Sequence, residues 1–278
     1  MMDKKIITKS MFVSLIVVSA CWAGCCSKSR CTLTDEKADN PVDVVLAQLG
    51  SKTKELKSYQ AQVEYKFIQP VFESITLRKG ALYYAKHDGK SKLRADFKTL
   101  KQDDEKEQKY REEFIFDGVW LTHINYQIKQ VRLHQLAEPN EPVDAFELAG
   151  RNLPIVGFAK IEDLKKQFEI KLVEQKDGNS VIPAELVPEG AGIHDFIQLH
   201  LKVKPDSIYK DDYISIDFWI DKKLGLPAGI NAVSTEQDIY QIKLLKPEVN
   251  KNIEQSVFDF KVPRDFGKEI IPLKKETK

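Results

Sequence analysis

Residues 61–68 read Ala61-Gln62-Val63-Glu64-Tyr65-Lys66-Phe67-Ile68, with apolar or aromatic side chains at every second position from Ala61 to Phe67 and polar ones between them. Successive side chains of an extended chain point to opposite faces, so this period of two predicts a strand with one apolar face. The period returns in Ile75 and Leu77, in Leu82 and Tyr84, in Leu93, Ala95 and Phe97, in Phe114 and Phe116, and in Val131 and Leu133. Asp88-Gly89 and Asp117-Gly118 lie between such runs as hairpin turns, which predicts an antiparallel meander. Strands resume with Ile197, Leu199, Leu201 and Val203 and with Ile214, Ile216, Phe218 and Ile220; after a turn at 221–227, residues 230–233, 239–245 and 257–260 follow. The total is about ten or eleven strands.

Upstream of this pattern, Asn40-Pro41 is a helix start, with Asn as the cap and Pro at the first helical position. Val42, Val45, Leu46, Leu49 and Leu56 then share one face of an amphipathic helix. The run from Lys101 to Glu113 is almost wholly charged or polar, which predicts a long solvated hairpin tip. Between residues 139 and 159 the period is lost, and Phe146, Leu148 and Phe158 sit in a Pro- and Gly-containing stretch suited to short helices or an ordered loop over the sheet. Residues 161–168 read as another short helix. With no composition break and no internal repeat, residues 41–270 are expected to form one domain, followed by a charged tail at 271–278.

The 278 residues carry 43 Lys+Arg against 42 Asp+Glu, a formal net charge of +1 that gives no basic field for phosphate binding, so no nucleic-acid partner is expected. The four cysteines, Cys21, Cys25, Cys26 and Cys31, all lie near the N-terminus, which excludes a disulfide scaffold or a thiolate metal cluster in the body. Lys4, Lys5 and Lys9 precede an apolar stretch from Met11 to Ala20 that has signal-peptide length and is too short for an ordinary membrane span. Val18-Ser19-Ala20-Cys21 reads as a bacterial lipobox; Trp22-Ala23-Gly24-Cys25 is a second candidate with a bulky Trp at the aliphatic position. The expectation is a signal peptide at 1–20, lipidation at Cys21 with Cys25 as second choice, and a polar tether at 21–40. A plain secretory signal cut nearby is the other reading. Either one exports the chain to the cell envelope.

Enzyme signatures are missing: there is no G-x-S-x-G, H-E-x-x-H, P-loop or dinucleotide fingerprint. His87, His123, His134, His194 and His200 are scattered, and His200, between Leu199 and Leu201, is expected on the polar face. Asp103-Asp104 and Asp211-Asp212 read as solvated turns. The chain is expected to be a non-enzyme with no cofactor and no metal.

Four stretches resemble the outer-membrane lipoprotein carrier and sorting proteins, the LolA-like family: the helix running into Leu56-Lys57-Ser58-Tyr59-Gln60-Ala61; Lys79-Gly80-Ala81-Leu82-Tyr83-Tyr84-Ala85-Lys86, similar to G-x-L-[WY]-x-x-[KR]; Phe116-Asp117-Gly118-Val119-Trp120-Leu121 before Gln130-Val131; and the ending Asn250, Ile253, Phe258, Phe260 and Pro263. No single motif is specific; order and spacing carry the likeness. The resemblance implies a mainly β (α+β) fold, an incomplete, strongly curved antiparallel β-barrel wrapped over a few helices that form a lid. It also implies an apolar cavity for acyl chains of lipoproteins or other lipids, with a role in lipoprotein sorting, transport or acceptance in the periplasm. The candidate lining, from the apolar strand faces, is Val63, Tyr65, Phe67, Leu82, Tyr84, Leu93, Phe97, Phe114, Phe116, Trp120, Ile214, Ile216 and Phe218, with Phe146, Leu148 and Phe158 from the lid; ordinary core is the other reading of each. Family carriers place an Arg latch where this chain has Lys86 followed by His87, and they are soluble, whereas this N-terminus predicts membrane attachment through a lipid anchor. The competing reading is a sensor or regulatory module of the same fold that binds an envelope protein partner or a lipid signal.

Overall fold

The computed structural model describes residues 40–87, 89–145, 161–173 and 192–273. Helix α1 spans Pro41–Glu55, and Asn40 caps it by accepting the Val42 N–H on Oδ1 at 3.1 Å. The strands are β1 (Ser58–Gln69), β2 (Ser74–His87), β3 (Lys90–Gln102), β4 (Gln108–Phe116), β5 (Trp120–Asn125) and β6 (Gln130–Gln135). After α2 (Ile161–Gln167) come β7 (Phe168–Val173), β8 (Phe196–Val203), β9 (Tyr213–Asp221), β10 (Pro227–Ser234), β11 (Ile239–Val249) and β12 (Gly267–Ile271).

These strands form one sheet in the order β12-β6-β5-β4-β3-β2-β1-β11-β10-β9-β8-β7, antiparallel except where β12 lies parallel to β6. The sheet is not closed; β12 and β7 are its edges. The fold is mainly β with few helices, as expected. The β1–β11 pairing, with Tyr65 opposite Ile242, joins the two halves of the chain.

One buried cluster unites Leu46 and Leu49 of α1 and Leu56 with residues from nine adjacent strands, β4 through β1 and β11 to β7. Nine flat strands would be about 40 Å wide, and a helix is only about 10 Å across. The sheet therefore curls around α1. The two ends of the helix are tied to opposite parts of the chain: at its start Asp43 pairs with Lys165 of α2 at 2.7 Å, and just past its end the Lys57 and Ser58 N–H groups donate to Asn250 Oδ1.

The chain after β11 crosses the outer face. Ile253 and Phe258 pack with Ala85, while Val262 and Phe266 cover Ile115, Ile124 and Val131. Arg94 secures this strap by donating to the carbonyls of Val257 at 2.7 Å and Asp259 at 3.2 Å.

Three expectations are corrected. The charged run from Lys101 to Glu113 is not one solvated tip: only the turn between Gln102 and Gln108 separates β3 from β4, and Glu112 and Glu113 are buried within the sheet. Residues 255–258 form a short 3-10 turn rather than a strand, because Phe258 must turn inward beside Ala85. The twelfth strand, β12, lies at Gly267–Ile271, beside β6, where the sequence shows no alternation of two faces.

Candidate ligand-binding face

The inner face is set by strand parity. From β1 it carries Ala61, Val63, Tyr65 and Phe67; opposite them on β2 lie Leu82, Gly80, Arg78 and Thr76. Gly80 is required there. A Cβ at this position would stand 2.0 Å from the Asp96 carbonyl oxygen, where a bulge shifts the β2–β3 register. Further round the sheet, Leu93 and Phe97 of β3, Phe116 of β4, Ile216 and Phe218 of β9 and Leu82 and Tyr84 of β2 all belong to the buried cluster, together with Val63. Those eight candidates pack as core around α1. Tyr65 and Phe114 pack against the cluster but stay half-buried, and Phe67 is half-buried against Tyr240, ring centroids 4.9 Å apart.

Two candidates face elsewhere. Trp120 alternates with Leu121, which touches the core cluster, so it lies on the outer face; there it lines a hollow of about 300 Å³ with Ile115, Thr122, Phe258 and Phe260. A bulge in β9 pairs Ser234 with Tyr213 instead of Ile214, and a one-residue slip exchanges the faces of a strand. Ile214 is thereby 45% exposed, and Tyr213 packs against the core and Tyr240 in its place. Phe146, Leu148 and Phe158 lie outside the described residues, as do Cys21 and Cys25. Lys86, near the end of β2, pairs with Asp144 at 3.8 Å, and the neighbouring Ala145 N–H donates to Ser91 Oγ at 2.7 Å. The pair is more than a third exposed on both sides, so its contribution is about 0–1 kcal/mol.

The sequence reading missed a charged group in the middle of this face. Glu112 shares the parity of Phe114 and Phe116, and the residue is only 5% exposed. It accepts from the Tyr110 hydroxyl at 2.8 Å and lies 2.8 Å from His123 Nε2, while Arg78 Nε stands 3.6 Å away. Burial opposes the charged form, but the His123 contact, the Arg78 charge and the Tyr110 hydroxyl outweigh it and hold the Glu112 pKa below the ordinary carboxylate value. Tyr110 is pushed up to about 12 by burial and by Glu112, and Tyr65 to about 12 by burial. The His123 ring lies flat on Phe114, centroids 4.3 Å apart. Arg78 sits between the rings of Tyr65 at 5.9 Å and Tyr110 at 5.6 Å. The signal for the group was the Tyr110, Glu112, Phe114 alternation, concealed by the charges around it.

Outside this face, His200 Nδ1 lies 2.9 Å from Asp217 Oδ1 on the polar side of the sheet. Among the described residues no three His, Cys, Asp or Glu side chains are placed to hold a metal ion, and no helix is long and apolar enough to cross a membrane.

No family model matches the chain, and no curated protein matches it. Solved structures similar to it include MucB, alone and with MucA from Pseudomonas aeruginosa (12% and 13% identity, 79% and 80% of this chain, TM-scores 0.43 and 0.42); this chain spans 62% of that one's length. An uncharacterized conserved protein from Thermus thermophilus shares 10% identity over 84% of this chain and 100% of its own, with a TM-score of 0.44. At these scores the likeness carries no information about ligand or partner. A LolA superfamily protein from Nitrosomonas europaea, at 10% identity over 79% of this chain and 97% of its own with a TM-score of 0.35, is also among the structures to which this chain is similar.

Proposed function

We propose that this chain is an exported, lipid-anchored envelope protein that shelters acyl chains against the inner face of its curled sheet, in lipoprotein sorting, transport or acceptance. The observation that supports this reading is the division of the inner face. Around α1 it is closed core, whereas Tyr65, Phe67, Phe114 and Tyr240 are half-buried aromatic surface. A C16 chain exposed to water costs on the order of 12 kcal/mol at about 0.8 kcal/mol per CH₂. A surface of aromatic edges and faces removes most of that cost, and small conformational biases then decide between uptake and release. In this reading Phe146, Leu148 and Phe158 remain the candidate lid residues and Lys86, paired with Asp144, the candidate latch. The domain is residues 41–270, tethered by 21–40.

Native mass spectrometry of the full chain, extracted from its own envelope in mild detergent, tests both halves of the reading. The expected spectrum shows a covalent lipid mass that is lost in Cys21→Ser, and a non-covalent acyl ligand released on collisional activation. A consistently empty chain, with no uptake of added long-chain lipid, contradicts the carrier reading; a lipid mass that persists in Cys21→Ser moves the anchor to Cys25.

A further inference from the structure

The charged group on the inner face is unevenly satisfied. Each Glu112 carboxylate oxygen has a partner at 2.8 Å, the Tyr110 hydroxyl on Oε2 and His123 Nε2 on Oε1. Arg78 is different: its Nε is buried and has no hydrogen-bond acceptor among the described residues, because the nearest carboxylate oxygen of Glu112 is 3.6 Å away. The side chain as a whole is 30% exposed, and Arg78 lies opposite Tyr65 in the β1–β2 register, on the half-buried aromatic part of the inner face. A guanidinium carries five N–H donors and no acceptor, and its planar fork fits two oxygens at once. Tyr65 and Tyr110 fix that fork between their rings, which lowers the entropy lost when an acceptor arrives. A guanidinium whose nearest carboxylate is too distant for a hydrogen bond keeps donors that an arriving ligand oxygen can engage.

We propose that Arg78 is the polar end of the ligand site: an acyl ligand lies with its alkyl chain on Tyr65, Phe67 and Phe114 and its carboxyl or ester oxygens on the Arg78 guanidinium. This rests on the acyl-chain reading and adds the chemistry of the head. A cationic head is disfavoured, since it would meet the Arg78 charge while Glu112 is only 5% exposed. A free fatty acid and an esterified chain share the acyl oxygens that Arg78 would recognise.

The test measures displacement of a fluorescent fatty acid from the full chain by palmitate, methyl palmitate and hexadecyltrimethylammonium, in wild type and Arg78→Met. Wild type is expected to prefer palmitate to the cation of equal chain length by at least tenfold, and Arg78→Met to lose that preference while still binding the alkyl chain. Loss for palmitate alone assigns a free carboxylate to the site; loss for methyl palmitate as well assigns ester oxygens. Equal binding of palmitate and the cation by wild type, which needs no variant to fold, overturns the head-group assignment and leaves the acyl-chain reading standing. Unchanged discrimination in folded Arg78→Met also overturns it. Absence of binding by every long-chain probe in wild type overturns both.

Discussion

Glu112 and Glu113 are neighbours in β4, both buried, and they serve opposite faces. Glu112 anchors the group inside the hollow, whereas Glu113 accepts from Arg94 at 3.0 Å, Arg111 at 2.8 Å and Tyr126 at 3.1 Å beneath the C-terminal strap. A charged run read by composition alone predicts solvent, so neither role was legible; the parity with Phe114 and Ile115 was the available clue. A pH prediction belongs at this scale. The folded Glu112 pKa lies below its unfolded value, so the stability it contributes is complete above that value and is lost as the pH falls through the folded one. Urea unfolding followed between about pH 5 and pH 3 should fall more steeply for wild type than for Glu112→Gln, which should itself be less stable at pH 7 by about 1–3 kcal/mol. Parallel curves contradict this.

Irregular elements decide which side chains reach the hollow. The alternation from Ala61 to Phe67 was read correctly because β1 pairs with β2 without interruption, from Ser58 opposite Ala85 to Gln69 opposite Ser74. Ile214 faces outward because a bulge is a property of two paired strands, and Ser234, which pairs with Tyr213 in its place, lies about 20 residues away with no local mark. Trp120 was misplaced for a related reason: the short turn at Asp117-Gly118 resets parity, and Leu121, not Trp120, continues the face of Phe116. Gly80 marks another bulge. Gly80→Ala should lower stability by about 1–3 kcal/mol, since the Asp96 carbonyl at 2.0 Å and Phe97 Cα at 2.8 Å are backbone that only a shift of β3 relieves. An unchanged urea midpoint contradicts that. The closing motif has an equally local cause: Asn250 adopts φ 56, and its side chain accepts from Lys57 at 2.7 Å, tying the end of β11 to the helix–strand junction.

For the whole molecule, the many-stranded antiparallel β class followed from the short amphipathic strands, whereas the open, curved barrel was implied by the family resemblance and not by the alternation. The strand order did not follow from it, since β1–β11 and β12–β6 join residues more than 130 positions apart and alternation carries no pairing code. What that order produces is a sheet with one strapped outer face and one inner face shared between core and half-buried aromatics. The central claim is that this inner face takes the acyl chain. Photo-crosslinking of the full chain with diazirine-bearing palmitate, followed by peptide mapping, tests it most directly. The account predicts saturable adducts on Tyr65, Phe67 and Phe114, competed by unlabelled palmitate. Adducts confined to the outer face around Trp120 and Phe260, or labelling that does not saturate, contradict it.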